Sequence, residues 1–135
     1  MIILDTNVLS ALMQQSPDPQ VVVWLDDQPS ELIWLTTVTL FEARYGLALM
    51  AQGQRKNLLQ QLFEELLQTD LQNRVLIFDA SAADQAAALS AQRKTIGRPV
   101  DMRDTFIAGI ALARNATLAT RNTKHFLISA DLQPA

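Results

Sequence analysis

Four polar side chains stand just past an apolar run or near the head of a helical pattern: Asp5, Glu42, Asp104 and Asn122. They are far apart in the chain, so only a fold can bring them together. Asp5 closes the opening run Met-Ile-Ile-Leu, which reads as a short buried strand. An acid at the carboxyl edge of a parallel sheet sits where such sheets bind ligands, or it caps the following helix. Glu42 closes Thr39-x-x-Glu42, the spacing of a capping box. It also lines up with Tyr45, Gly46 and Leu49, and an acid on an inward helix face is costly unless compensated. Asp101 and Asp104 form a cap-and-third-position pair. Asp104 shares a face with Ile107, Ala108 and Ala111, so Asp101 is read as the cap and Asp104 as the buried acid. Asn122 and Thr120 follow another apolar run, where a turn is the ordinary reading of either residue alone.

Taken together, the residues point further. In a parallel sheet Asp5, Thr120 and Asn122 share one edge, and the helices bearing Glu42 and Asp104 begin there. Three carboxylates and an amide then face one pocket. Hard oxygen donors without sulfur suit Mg²⁺ or Mn²⁺. Such ions acidify bound water and clamp the oxygens of an in-line phosphoryl displacement.

The elements that must position these residues alternate between strand and helix. A helical pattern (Val8, Leu9, Leu12, Met13) ends at Ser16-Pro17-Asp18-Pro19. Residues 21–25 start a second helix with Trp24 on its buried face, and 32–37, with Trp34, form a β-rich second strand. Thr39 opens a third helix carrying Phe41, Tyr45 and Leu49. Residues 54–68 form a fourth, with Leu58, Leu59, Leu62, Phe63, Leu66 and Leu67 as its apolar stripe. A third strand over 74–79 precedes an alanine-rich helix over 81–91, capped by Ser81 with Asp84. Gly97-Arg-Pro99 turns the chain into a helix over 101–114, and 116–120 is a fourth strand. This order predicts an α/β three-layer sandwich around a central parallel sheet of four or five strands with right-handed crossovers, a single domain over residues 1–135.

Composition narrows the class. There is no cysteine and one histidine, which excludes disulfides, thiolate metal sites and histidine-rich zinc sites, and fits a cytoplasmic protein. No apolar run approaches membrane-spanning length, and the start lacks a basic leader and a small-residue cleavage site. The net charge of −3 argues against nucleic-acid binding, but its distribution argues for it. Residues 1–92 carry four Lys or Arg against eleven Asp or Glu; residues 93–135 carry seven against three. Those seven are Arg93, Lys94, Arg98, Arg103, Arg114, Arg121 and Lys124, either a phosphate-binding face or simply solvated helix surface. His125 reads as a loop residue, and Trp24 and Trp34 as core.

Four motifs lie in register: Asp5-Thr-Asn-Val-Leu, Thr39-x-x-Glu42-x-x-x-Gly46, Asp104-x-x-Ile-Ala, and Leu-Ala-Thr-Arg-Asn122-Thr-x-x-Phe126. Together they resemble the PIN-domain nucleases over nearly the whole chain, and among these the VapC-like and FitB-like toxins of type II toxin–antitoxin modules. The resemblance implies a single PIN-like domain acting as a Mg²⁺-dependent endoribonuclease, with Mn²⁺ as a substitute. It also implies a homodimer neutralised by a cognate antitoxin. By position, Asp5, Glu42 and Asp104 would be the metal-binding acids, Asn122 the fourth site residue, and Thr6 and Thr120 their supports. Arg98, Arg103, Arg121 and Lys124 would contact RNA phosphates. Two departures stand out: Asn122 falls where the family often has Asp, and the chain ends Leu132-Gln-Pro-Ala rather than in an aliphatic strand. The exposed apolar residues expected on the second and fourth helices suit a dimer.

Other classes fit less well. A non-catalytic PIN-like protein that binds protein or RNA is the main alternative, against which the intact acids argue. A phosphatase of the Asp-first kind wants Asp-x-Asp, and residue 7 is Asn. A phospho-receiver wants a mid-sheet acceptor and a late lysine; Asp79 and Lys124 serve poorly. No glycine-rich loop supports dinucleotide binding.

Overall fold

The computed structural model describes residues 1–14, 16–97 and 101–120. Four strands, β1 (Ile2–Leu4), β2 (Ile33–Thr36), β3 (Val75–Leu76) and β4 (Thr117–Ala119), form one sheet in the order β3-β2-β1-β4. Every pair is parallel. The helices are α1 (Thr6–Leu12), α2 (Pro19–Asp26), α3 (Thr37–Leu49), α4 (Gln54–Glu65), α5 (Ala80–Thr95) and α6 (Met102–Arg114). The expected α/β fold with four parallel strands is therefore present. The C-terminal tail that would supply a fifth lies outside the described residues, as do Arg98, Arg121, Asn122, Lys124 and His125.

A sheet covered on both sides needs apolar residues on both faces of each strand. Ile3 and Leu118 join α5 and α6 in one cluster with Ala82, Leu89, Ile107 and Ile110. Their neighbours Leu4 and Ala119 join Leu35, Val8, Val21, Leu47 and Phe63 from β2 and α1 to α4 in the other. Trp34 packs on the first cluster and Trp24 on the second, each partly buried, in keeping with core roles. β1 lies between β2 and β4, so its carboxyl end, where Asp5 follows, is flanked on both sides.

Helix starts follow the local chemistry of short polar side chains. Asp5, Asp18, Thr36, Asp79 and Asp101 each accept a hydrogen bond from a backbone N–H at the head of the next helix. Three expectations are corrected here. Asp79, not Ser81, caps α5. Helix α3 starts at Thr37 with Thr36 as its cap, so Thr39 is the acceptor's donor and Glu42 lies beyond the first turn; the capping-box reading of Glu42 fails. The third strand is two residues long because Ile77 turns outward and Phe78 N–H donates to Thr37 Oγ1 at 3.2 Å instead of extending the ladder.

Two helical stripes are also reassigned. Phe41, Tyr45 and Leu49 are all more than half exposed, and of the expected α4 stripe only Phe63, with Leu67 just beyond the helix, is buried while Leu58 and Leu62 face out. The exposed apolar surface thus lies on α3 and α4 rather than on the second and fourth helices. α2 exposes only Val23 among large apolar side chains.

Helix α6 approaches α5 so closely that a Cβ on Gly109 would stand 2.6 Å from Ala82 O and 2.8 Å from Ala86 Cβ. Gly46 of α3 has nothing within 4 Å of the same position. Gly→Ala in a helix ordinarily stabilises by about 1 kcal/mol, whereas overpacking costs about 1–3 kcal/mol. The two glycines should therefore respond with opposite sign in urea unfolding: Gly46→Ala stabilised, Gly109→Ala destabilised. Equal gains would contradict the close packing of α5 on α6.

Candidate active site

The candidate site is built where β1 and β4 end together. Asp5 N–H donates to Ala119 O at 3.1 Å, which sets the Asp5 side chain beside Thr120. The Asp5 carboxylate is 4% exposed. Its Oδ1 accepts from Val8 N–H at 2.8 Å, and its Oδ2 accepts from the Thr120 hydroxyl. Burial pushes the Asp5 pKa above its ordinary value of 3.8. The hydrogen bonds from Thr120 and Val8 pull it back, and the Asp104 charge pushes it up again. Asp5 therefore lies in the field of Asp104.

Glu42 is reached from Asp5 through its neighbour. Thr6 Oγ1 donates to Glu42 Oε1 at 2.7 Å. A hydroxyl has a single proton to give. With that of Thr6 on Glu42, the 3.1 Å contact between Thr6 and Thr39 must run from Thr39 to Thr6. Thr36 in turn donates to Thr39 at 3.4 Å and accepts from Thr39 N–H at 3.1 Å. The result is a directed chain, Thr36 to Thr39 to Thr6 to Glu42, that fixes one carboxylate oxygen from the buried side. The other oxygen, Oε2, faces Arg103 Nη1 at 3.6 Å, and Arg103 Nε stands 3.6 Å from Asp101 Oδ1.

Asp104 lies in the first turn of α6 and is half-buried, less enclosed than expected for the buried acid of its pair. Asp101 caps the helix through Arg103 N–H at 2.8 Å, as expected. Among the described residues no three acidic or imidazole side chains are gathered closely enough to hold a metal ion. Asp5 lies in the field of Asp104, and Glu42 is held between Thr6 and Arg103. Its other face opens onto a groove lined by Thr6, Leu9, Met13, Leu47, Met50 and Leu62.

Arg93 departs most from its sequence reading. Counted there with the basic surface, it is 1% exposed, with Nη1 3.5 Å from Thr105 Oγ1. Burial lowers its pKa and the Asp104 charge offsets part of that. The signal was present in the spacing: Ala82, Ala86, Leu89 and Arg93 repeat at helical intervals and are the buried residues of α5. Thr36 and Thr39 were the other omissions, since a buried hydroxyl chain leaves no periodic trace.

The donor set fits a hard divalent cation. All its donors are oxygens, and the Asp104 charge works against ionisation of Asp5, a penalty that a bound cation would offset. Acids at the carboxyl edge of a parallel α/β sheet define a class, and the chain belongs to the PIN domain family, whose model matches residues 2–130. It is 42% identical to the plasmid stability protein StbB of Pseudomonas syringae pv. tomato, over 93% of this chain and 91% of that protein. It is 41% identical to VapC ribonuclease Y4jK of Sinorhizobium fredii, over 93% of this chain and 90% of that protein. The crystal structure of FitAcB from Neisseria gonorrhoeae superposes with a TM-score of 0.89 at 36% identity, covering 99% of this chain and 96% of that one.

Because the Asp5 pKa is raised on folding, the folded chain binds that proton more tightly than the unfolded one. The stability so gained is full below pH 3.8 and is lost as pH rises through the raised value. Asn at position 5 keeps an acceptor for Val8 N–H but carries no charge. In EDTA, the stability of Asp5→Asn relative to wild type, read from urea midpoints, should increase between about pH 4 and 7. A pH-independent difference would show that burial does not penalise this carboxylate.

Proposed function

We propose that the chain is the toxin of a type II toxin–antitoxin module, a Mg²⁺-dependent endoribonuclease of the cytoplasm for which Mn²⁺ also serves. The observation that carries this reading is Asp5: a buried carboxylate at the end of the central strand, held by Thr120 and Val8 N–H within reach of the Asp104 charge. Family membership and the likeness to a VapC ribonuclease support it.

Asp5 and Asp104 would hold the ion and Glu42 would complete its shell or orient the attacking water. Asn122 would occupy the fourth position without adding charge. When bound, a hard divalent ion supplies Lewis acidity, lowering the pKa of water and offsetting phosphate charge. Thr120 fixes the orientation of Asp5, and Thr6 that of Glu42. Arg98, Arg103, Arg121 and Lys124 would hold flanking phosphates; Arg93, being buried, is removed from that set. The partners implied are RNA, a cognate antitoxin and a second copy of the chain. The exposed Phe41, Tyr45, Leu49, Leu58 and Leu62 offer the apolar surface such partners need.

A second reading, a PIN-like protein that binds protein or RNA without cutting, draws on one observation, that both oxygens of Glu42 face groups of this chain. Metal dependence separates the two: a binder's affinity for RNA should not change with EDTA and no hydrolysis should follow Mg²⁺.

Asp5→Ala and Asp104→Ala should each lower RNA cleavage by more than about 100-fold, beyond the range typical of residues that merely support a metal ligand, and relieve growth inhibition while the circular dichroism is unchanged. Asp101→Ala should cost about 1 kcal/mol of stability as a lost cap but change cleavage little. Retained cleavage in either of the first two variants would remove the nuclease assignment to this site.

A further inference from the structure

Arg103 precedes Asp104 on α6, yet its guanidinium turns to Glu42, with Nη1 3.6 Å from Oε2. Asp101 holds its Nε at the same distance. Glu42 Oε1 is fixed independently by Thr6, at the end of the threonine chain. Both oxygens of the third acid are therefore occupied by groups of this chain, and no three acids meet among the described residues. The two contacts differ in kind. The Thr6 bond is short and part-buried. The Arg103 pair is long, and its arginine side chain is 51% exposed against 18% for the glutamate. Ion pairs of that kind are weak and are readily exchanged for a better anion. A phosphodiester, which arginine can bind in a bidentate manner, is such an anion.

We propose that Arg103 is a positioning residue that acts through Glu42: it withholds Glu42 Oε2 from the metal until an RNA phosphate draws the guanidinium away. The threonine chain keeps Oε1 in place throughout, so release frees one oxygen without freeing the side chain. Metal and RNA phosphate then assist each other's binding, since each favours the state with Arg103 off Glu42. The inference rests on the metal-site reading given above and concerns only how the third acid is made available to it.

The test is Mn²⁺ binding to the full chain without RNA, followed by the electron paramagnetic resonance of free Mn²⁺, in a double-mutant cycle. Arg103→Gln should tighten Mn²⁺ by about two- to fivefold, the range open to a partly exposed ion pair. In the Glu42→Gln background the same change should have no effect, because the latch has nothing to release. Arg103→Lys, which keeps the charge, should fall back toward wild type. A gain that persists in the Glu42→Gln background would be the long-range effect of one positive charge and would overturn the proposal, as would an unchanged affinity in Arg103→Gln. Asp5→Asn separates this from failure of the site itself. If Mn²⁺ binding is lost in Asp5→Asn but the Glu42-dependent gain is missing, only the latch falls. If neither wild type nor Arg103→Gln binds Mn²⁺, the metal site falls and the latch with it.

Discussion

A carboxylate withdrawn from water must be compensated, and Asp5, at the end of the central strand, sets that requirement for its surroundings. β4 is paired to β1 in a register that ends with Thr120 beside it, and α1 begins where its first amides meet the same carboxylate. These partners offset burial without cancelling it, so the pKa stays raised. The charge of Asp104 adds to the cost of ionising Asp5.

The surrounding charges are arranged in matched pairs. Glu42 faces Arg103 on the exposed side, and Asp104 lies within the field of buried Arg93. The two arginines differ in exposure: Arg93 is buried, while Arg103 is half in solvent. One therefore serves as a fixed counter-charge. The other is free to serve more than one anion. On the buried side the threonine chain imposes direction, because each hydroxyl passes on its single proton and the last must end on an acceptor.

Away from the edge, the sheet and α5–α6 make a tight body in which Gly109 permits contact that no side chain allows. The α3–α4 side is different. Phe63 anchors α4 beneath Arg44, which also pairs with Glu64, but both helices also turn large apolar side chains outward among their polar ones. Exposed aromatic and leucine side chains in adjacent turns form the kind of patch that marks an interaction surface. Their spacing along α3 and α4, i to i+4, is the same spacing that elsewhere signals core.

The order of strands and helices, their parallel sheet, and Asp5 and Asp101 as residues at element ends were legible in the residues themselves. They depend on local chemistry: apolar runs, caps and periodicity act within a few residues. The Asp79 cap, the Thr36 cap of α3 and the two-residue β3 were not, because competing caps and ladder bonds differ by little until packing selects among them. The face that each stripe presents was equally undetermined, since Phe41, Tyr45 and Leu49 repeat like core residues whether or not a layer lies against them. Residue type placed four polar side chains as candidates. Only the tertiary structure decided that Asp5 and Asp104 feel one another, that Glu42 is turned to Thr6 and Arg103, and that Arg93 is interior. Those outcomes depend on distances between segments far apart in the chain, which no local pattern encodes.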